Sequence, residues 1–275
     1  MYNVQRFGWF ASFLALIAGS VHADDYTAPT NWTGLYGGVN AGYGWSDNSV
    51  LYAGNPGAGS AALNVVFTSP TLFATSSYSK HLSSSGFVGG GQSGFNWQFA
   101  RWVAGLEADF QSGVQGDFSA AGNLGPSAPS YRLTSKQDLK WFGTVRGRLG
   151  YLATPDLLLF GTGGLAYGRT EVSANIANTS NIDHLIISAS NLTCPGNQVC
   201  IAGSDSQTST GWTAGGGFEW ALWSNITFKA EYLHVDLGSQ TIKLVAQSPA
   251  SGNGFVTGKF DNSFDVVRGG LNYRF

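Results

Sequence analysis

Ten charged side chains stand where their chemistry would matter: Glu107, Asp109, Lys140, Arg146, Arg148, Glu219, Lys229, Glu231, Arg268 and Arg274. Each lies on the polar parity of a segment whose other parity is apolar. Glu107 and Asp109, two residues apart, have a spacing that suits general acid/base work, one carboxyl giving a proton and the other taking one. The bases around them argue for another use. A charge out of water is costly unless it is partnered. Acids and bases interleaved on successive strands would neutralise one another inside a narrow barrel, whose bore side chains can fill. The expected result is a salt-bridged plug, with a narrow pore as the alternative.

Other motifs carry less. Gly89-Gly90-Gly91-Gln92-Ser93-Gly94 matches the G-x-G-x-x-G dinucleotide pattern, but that pattern must open a helix and this one lies inside a strand pattern. Ser93 is no hydrolase elbow, because Phe95 stands where G-x-S-x-G needs glycine. Cys194 and Cys200, the only cysteines, read as a local disulfide. Haem iron takes His or Tyr ligands. Tyr78, His81 and His184 are of that type and fall in stretches read as loops. Solvated loop histidines are the commoner case, so no cofactor and no metal is assigned. A lipid-directed enzyme would need a Ser-His pair on the outer face. His234 has no evident Ser beside it, and no catalytic residues are expected.

These residues need elements to hold them, and the elements read as strands. Apolar and polar residues alternate with period two over 35–45, 86–99, 102–111, 139–151, 210–222, 226–233 and 265–275. Thus Trp102, Ala104, Leu106, Ala108 and Phe110 oppose Glu107, Asp109 and Gln111. Leu139, Trp141, Val145, Leu149 and Tyr151 oppose Lys140, Thr144, Arg146 and Arg148. Segment 157–170 is apolar or glycine on both parities, so its facing is not readable. The segments number eight, and most have the length of about 10 residues that a tilted strand needs to cross a bilayer.

Connections alternate between short turns, at Ala100-Arg101, Thr154-Pro155-Asp156 and Trp223-Ser224-Asn225, and long segments at 46–85, 112–137, 171–209 and 236–263. That alternation marks outer-membrane barrels, with short periplasmic turns and long external loops. A soluble sandwich would bury the aromatic face and leave loops this long unexplained. Only 11% of residues are charged and mean hydropathy is near zero, so apolar and polar groups are finely interleaved. A net charge of −2 argues against a nucleic-acid partner. Arg6, the apolar run Phe7–Ala18 and Val21-His22-Ala23 read as a cleaved secretory leader. The expected organisation is a signal peptide at 1–23, a periplasmic segment at 24–33 and a barrel domain at 34–275.

Four blocks carry a family resemblance: 32–38 (WTGLYGG), 163–168 (GGLAYG), 231–238 (EYLHVDLG) and 267–275 (VRGGLNYRF). They resemble the small proteobacterial outer-membrane immunogenic proteins, an opacity-like porin family. The resemblance implies an all-β, eight-stranded antiparallel up-and-down transmembrane barrel in the bacterial outer membrane, with surface antigenicity and a role in envelope integrity. It also implies that the barrel-assembly machinery reads the terminal strand, whose Val267, Leu271, Tyr273 and Phe275 share one face. Outer-membrane lipids and lipopolysaccharide are the further expected partners. A small diffusion porin, or a binder of haem or a host ligand through its loops, are the alternatives. Some family members are described as haem-binding, but no motif here transfers that property to His81 or His184.

Overall fold

The computed structural model describes residues 31–54, 77–113, 119–123, 131–179, 185–187, 192–248 and 255–275. The leader expected at 1–23 and His184 lie outside them. Period-two sequence becomes wall. The strands are β1 (Gly34–Gly54), β2 (Ser77–Phe99), β3 (Trp102–Ser112), β4 (Ser119–Asn123), β5 (Tyr131–Thr154), β6 (Leu157–Asn178), β7 (Leu185–Ile187), β8 (Leu192–Cys194), β9 (Gln198–Ala221), β10 (Ile226–Ala246) and β11 (Phe255–Arg274).

Neighbours pair antiparallel around a ring in the order β1, β2, β3, β5, β6, β9, β10, β11, and β11 returns to β1. Short β4 pairs with the far half of β5, above β3, so β3 and β4 make one interrupted stave. The barrel therefore has eight staves. Closure leaves no free sheet edge along the ring. Strands β7 and β8 form a separate small hairpin.

Side-chain parity sorts the wall. Val39, Leu106, Leu149, Leu165, Val267 and Leu271 stand exposed on the outside. They lie between two aromatic bands. At the turn end are Trp97, Phe99, Trp102, Tyr151, Trp220 and Tyr273. Farther along are Trp45 beside Tyr232, and Trp141 between Phe110 and Tyr167. Ten residues separate Leu35 from Trp45 on β1. At about 3.3 Å per residue and a tilt near 40°, that is about 25 Å, the height of an outer-membrane apolar belt. No described helix is long and apolar enough to span a membrane; the crossing is made by strands.

The wall does not stop at the second band. β1 has 21 residues and β5 and β9 have 24 each, so the stave reaches roughly 50 Å or more on the same arithmetic. Much of 46–85, 112–137, 171–209 and 236–263, read from sequence as loop, is strand. The physical reason is solvent. Beyond the bilayer the outer face takes Ser, Thr, Asn and charge instead of aliphatics, which removes half of the period-two signal. The inner face there is largely apolar, with Val50, Leu133, Ile176, Leu244 and Phe260 buried.

Two assignments change. A bulge between Leu139 and Trp141 shifts the register of β5 against β6. Leu139 therefore turns into the lumen and Lys140 turns out, the reverse of their expected facing. For 157–170 the structure supplies the facing that sequence lacked: Leu158, Phe160 and Ala166 point inward, Leu159 and Leu165 outward.

Candidate functional site: the filled lumen

Parity along β3, β5, β9, β10 and β11 aims one charge after another at the axis, and the ladder sets their heights. Glu107 pairs across β3–β5 with Arg146, and Glu231 across β10–β11 with Arg268. Arg146 touches three carboxylates: Glu107, Asp109 at 2.8 Å and Glu231 at 3.2 Å. Arg268 reaches Asp109 at 2.6 Å and Glu231 at 2.7 Å. Lys229 reaches Glu107 at 2.7 Å and Glu231 at 2.9 Å. Arg148 holds Glu219 at 2.6 Å and lies over the Phe160 ring. Four carboxylates thus face four cations, all buried.

Neutral groups complete the set. Tyr36 donates to Glu107 at 2.6 Å, Thr144 to Asp109 at 2.9 Å, and Thr227 and Asn272 to Glu219 at 2.5 and 2.9 Å. Gln92 donates to Asn272, and Asn40 to Gln92. Tyr36 has room because a glycine faces it: a Cβ on Gly94 would run into the Tyr36 hydroxyl. Sequence reading missed Tyr36, Thr227 and Asn40 as members. Their inward parity was the available signal, but heights across eight strands are not readable from one strand at a time. Glu107 and Asp109 each face two or more cations and accept a hydrogen bond from one hydroxyl.

Two expected members stand elsewhere. Lys140, turned out by the bulge, pairs with Glu171 at 3.2 Å and Asp138 at 3.4 Å on the outer wall. Arg274 has inward parity but lies at the turn-end rim. Its guanidinium donates to the Asn31 and Ser224 carbonyls and sits over the Trp32 ring. The end of β11 lies beyond the carboxylates, and Trp32 occupies the space between.

Apolar layers bracket the charges. Trp32, Val103, Leu152 and Leu158 close the turn end. Trp32 is pinned there by its indole N–H on the Pro155 carbonyl. Above the charges come Val88, Phe142, Leu233, Phe264 and Val266, with Phe142 and Phe264 packed edge to face. Near the mouth a larger cluster gathers Val50, Tyr52, Leu133, Ile201, Leu244 and Phe260. The disulfide Cys194–Cys200 is present and buried in this upper cluster.

The haem-type candidates do not converge. His81 is exposed on the outer wall, 3.9 Å from Asp47. The backbone of Tyr78 pairs with Tyr52, while its side chain and all of His184 lie outside the described residues. No cluster of metal-ligand type occurs among the described residues. The Gly89–Gly94 motif sits in mid-strand on β2, without the helix a dinucleotide would need. Val267, Leu271, Tyr273 and Phe275 all face outward, as their shared parity implied.

A family model described as the outer membrane protein beta-barrel domain matches residues 11–275. The chain belongs to this family. This outer-membrane barrel is 34% identical over 278 residues to the 31 kDa outer-membrane immunogenic protein of Brucella melitensis, covering 96% of this chain and 98% of that one. It is 30% identical over 167 residues to the 22 kDa outer membrane protein of Rhizobium leguminosarum bv. viciae, covering 61% and 60% of the two chains. Among solved structures it is similar to the outer membrane protein OprG from Pseudomonas aeruginosa, at 12% identity with a TM-score of 0.42, over 90% of this chain and 99% of that one. The barrel resides in the bacterial outer membrane.

Proposed function

We propose that this outer-membrane barrel is a structural wall protein with a closed lumen, contributing to envelope integrity and presenting its extracellular half at the surface. The observation that carries this reading is the filling of the bore. Apolar residues seal the turn end, eight buried charges neutralise one another at bilayer height, and two further apolar clusters lie toward the mouth. A hydrated ion moving along the axis would have to displace each layer. The charged layer resists most, since separating buried partners exposes unpaired charge. The aromatic bands and apolar belt support outer-membrane lipid and lipopolysaccharide as its surroundings. The outward series ending at Phe275 supports a part for β11 in recognition by the barrel-assembly machinery.

Planar-bilayer recording tests the reading. The refolded barrel is expected to leave the bilayer at its baseline leak. Stable unitary currents from the wild type would instead make it a small diffusion channel.

A further inference from the structure

Between the lower and upper apolar clusters lies a second polar layer. Ser46, Asn48, Gln137, Thr170, Asn262 and Ser263 line it and, with Trp45, Leu139, Leu237 and Phe264, surround a partly open cavity of about 20 Å³. Three buried side-chain atoms of these residues have no protein hydrogen-bond partner: Ser46 Oγ, Gln137 Oε1 and Asn262 Nδ2. Their residues are only 6%, 5% and 3% exposed. Neighbouring bonds fix which atoms are free. Gln137 Nε2 donates to the Asp261 carbonyl at 3.0 Å and to Asn262 Oδ1 at 2.5 Å. The glutamine is thus left with a free oxygen and the asparagine with a free amide nitrogen.

The free set is one acceptor, one donor and one hydroxyl that can do either. A cation would be repelled by the Asn262 amide N–H, and an anion by Gln137 Oε1. A water molecule donates and accepts at once, and a cavity of this size holds one.

The wall is thin beside this layer. On β10, Leu237 and Gly238 together oppose Asn262, between the pairs Asp236↔Ser263 and Ser239↔Asp261. Gly238 takes a φ of +76°, the left-handed conformation that such a bulge uses. Outside it is an open depression of about 320 Å³ lined by Asp236, Gly238, Ser239, Asp261, Asn262 and Ser263. Asn262 and Ser263 belong to both the depression and the cavity. The β1–β11 ladder also lapses here, between Trp45↔Asp265 and Val50↔Phe260. Side-chain bonds take its place, Ser263 to Asn48 at 2.9 Å and Ser49 to Asp261 at 3.1 Å.

We propose that Ser46, Gln137 and Asn262 form a binding site for one exchangeable water molecule, supplied through the wall at the Gly238 bulge rather than along the bore. Apolar layers separate the site from the mouth on one side and from the charges on the other.

Radiolytic hydroxyl-radical labelling of the refolded full chain in heavy-oxygen water tests it, because radiolysis breaks an O–H bond of an internal water and the hydroxyl radical so formed oxidises the side chains beside it. Phe264, Leu139 and Leu237 are expected to take up heavy oxygen, while Phe260 and Leu244 of the upper cluster are not. The double variant Gln137→Leu/Asn262→Leu should lose most of that label while keeping the heat-modifiable migration of a folded barrel. Absence of label at Phe264, Leu139 and Leu237 in the wild type overturns the site, without needing any variant to fold. Label undiminished in a folded double variant overturns it too. Ser239→Phe, which fills the depression, should slow uptake several-fold after rapid mixing and leave the endpoint unchanged. Uptake at the wild-type rate in that variant overturns the route.

Discussion

Arg146 is the residue on which the charge layer turns, because it alone touches three of the four carboxylates. Arg146→Met would leave Glu107, Asp109 and Glu231 with fewer cations in a buried site. We expect a loss of about 3–5 kcal/mol, the range for breaking a buried ion pair, read as a lower urea midpoint of the refolded barrel in detergent. Adding Glu107→Gln to that variant should restore a substantial part of the loss. If the double variant is no better than the single, the cost lies in packing and not in charge. Parity around Leu106, Leu149 and Tyr232 made Glu107, Arg148 and Glu231 legible as inward groups in the sequence. What parity cannot supply is height, which is why Arg274 was assigned to a cluster it does not reach. A neutral partner such as Tyr36 was illegible for a related reason. Its role depends on the space opposite Gly94 on the next strand, and one strand's pattern does not contain that space.

At the scale of the element, the bulge on β5 decides which half of that strand faces in. Its extra residue lets Leu133, Gln137 and Leu139 share the lumen with Thr144, Arg146 and Arg148. Removing Lys140, the extra residue, should restore simple alternation with Leu133 and Leu139 still facing the lumen, because Leu139 then stands two positions from inward Phe142. The expected outcome is a near-normal yield of the heat-modifiable form on refolding; a sharply lower yield would mean that Lys140 is not the extra residue. The run Leu139-Lys140-Trp141-Phe142 shows why the sequence hid this. Leu139, Lys140 and Trp141 alternate without a break, and only Phe142, apolar on the polar parity, departs from the pattern. The hairpin β7–β8 makes a second case. The disulfide that ties the end of β8 to β9 spans a short loop and should contribute about 2 kcal/mol locally. Cys194→Ser/Cys200→Ser should speed proteolytic cutting near residues 185–200 while the rest of the barrel stays protected. Cutting at the wild-type rate would mean that packing, not the covalent link, holds this segment.

The whole molecule joins two environments in one wall. The lower half of the wall is greasy outside and carries charge inside on five of its staves; the upper half is polar outside and largely apolar inside. Because its principal ion pairs are enclosed, their strength should be little screened by salt. The urea midpoint is therefore expected to stay nearly constant from low to roughly molar sodium chloride. A steep fall with salt would place the important charges on the surface instead. The eight-staved architecture was legible because a bilayer imposes greasy parity over the membrane-height stretch of each strand. The upper half was not, because water imposes no such rule.

The ring described above also has one seam unlike the rest. Seven of its joints connect strands that follow one another along the chain or are separated only by short inserts, so each can zip up locally. The eighth joins Tyr36 to Arg274 across nearly the full length of the polypeptide. Loop-closure entropy makes such a pairing slow to find. Until it forms, β1 and β11 are two long bare margins, open to any other strand. Productive folding is therefore a race between one intramolecular encounter and every intermolecular one, and dilution or a chaperone that shields both margins should shift it toward the barrel.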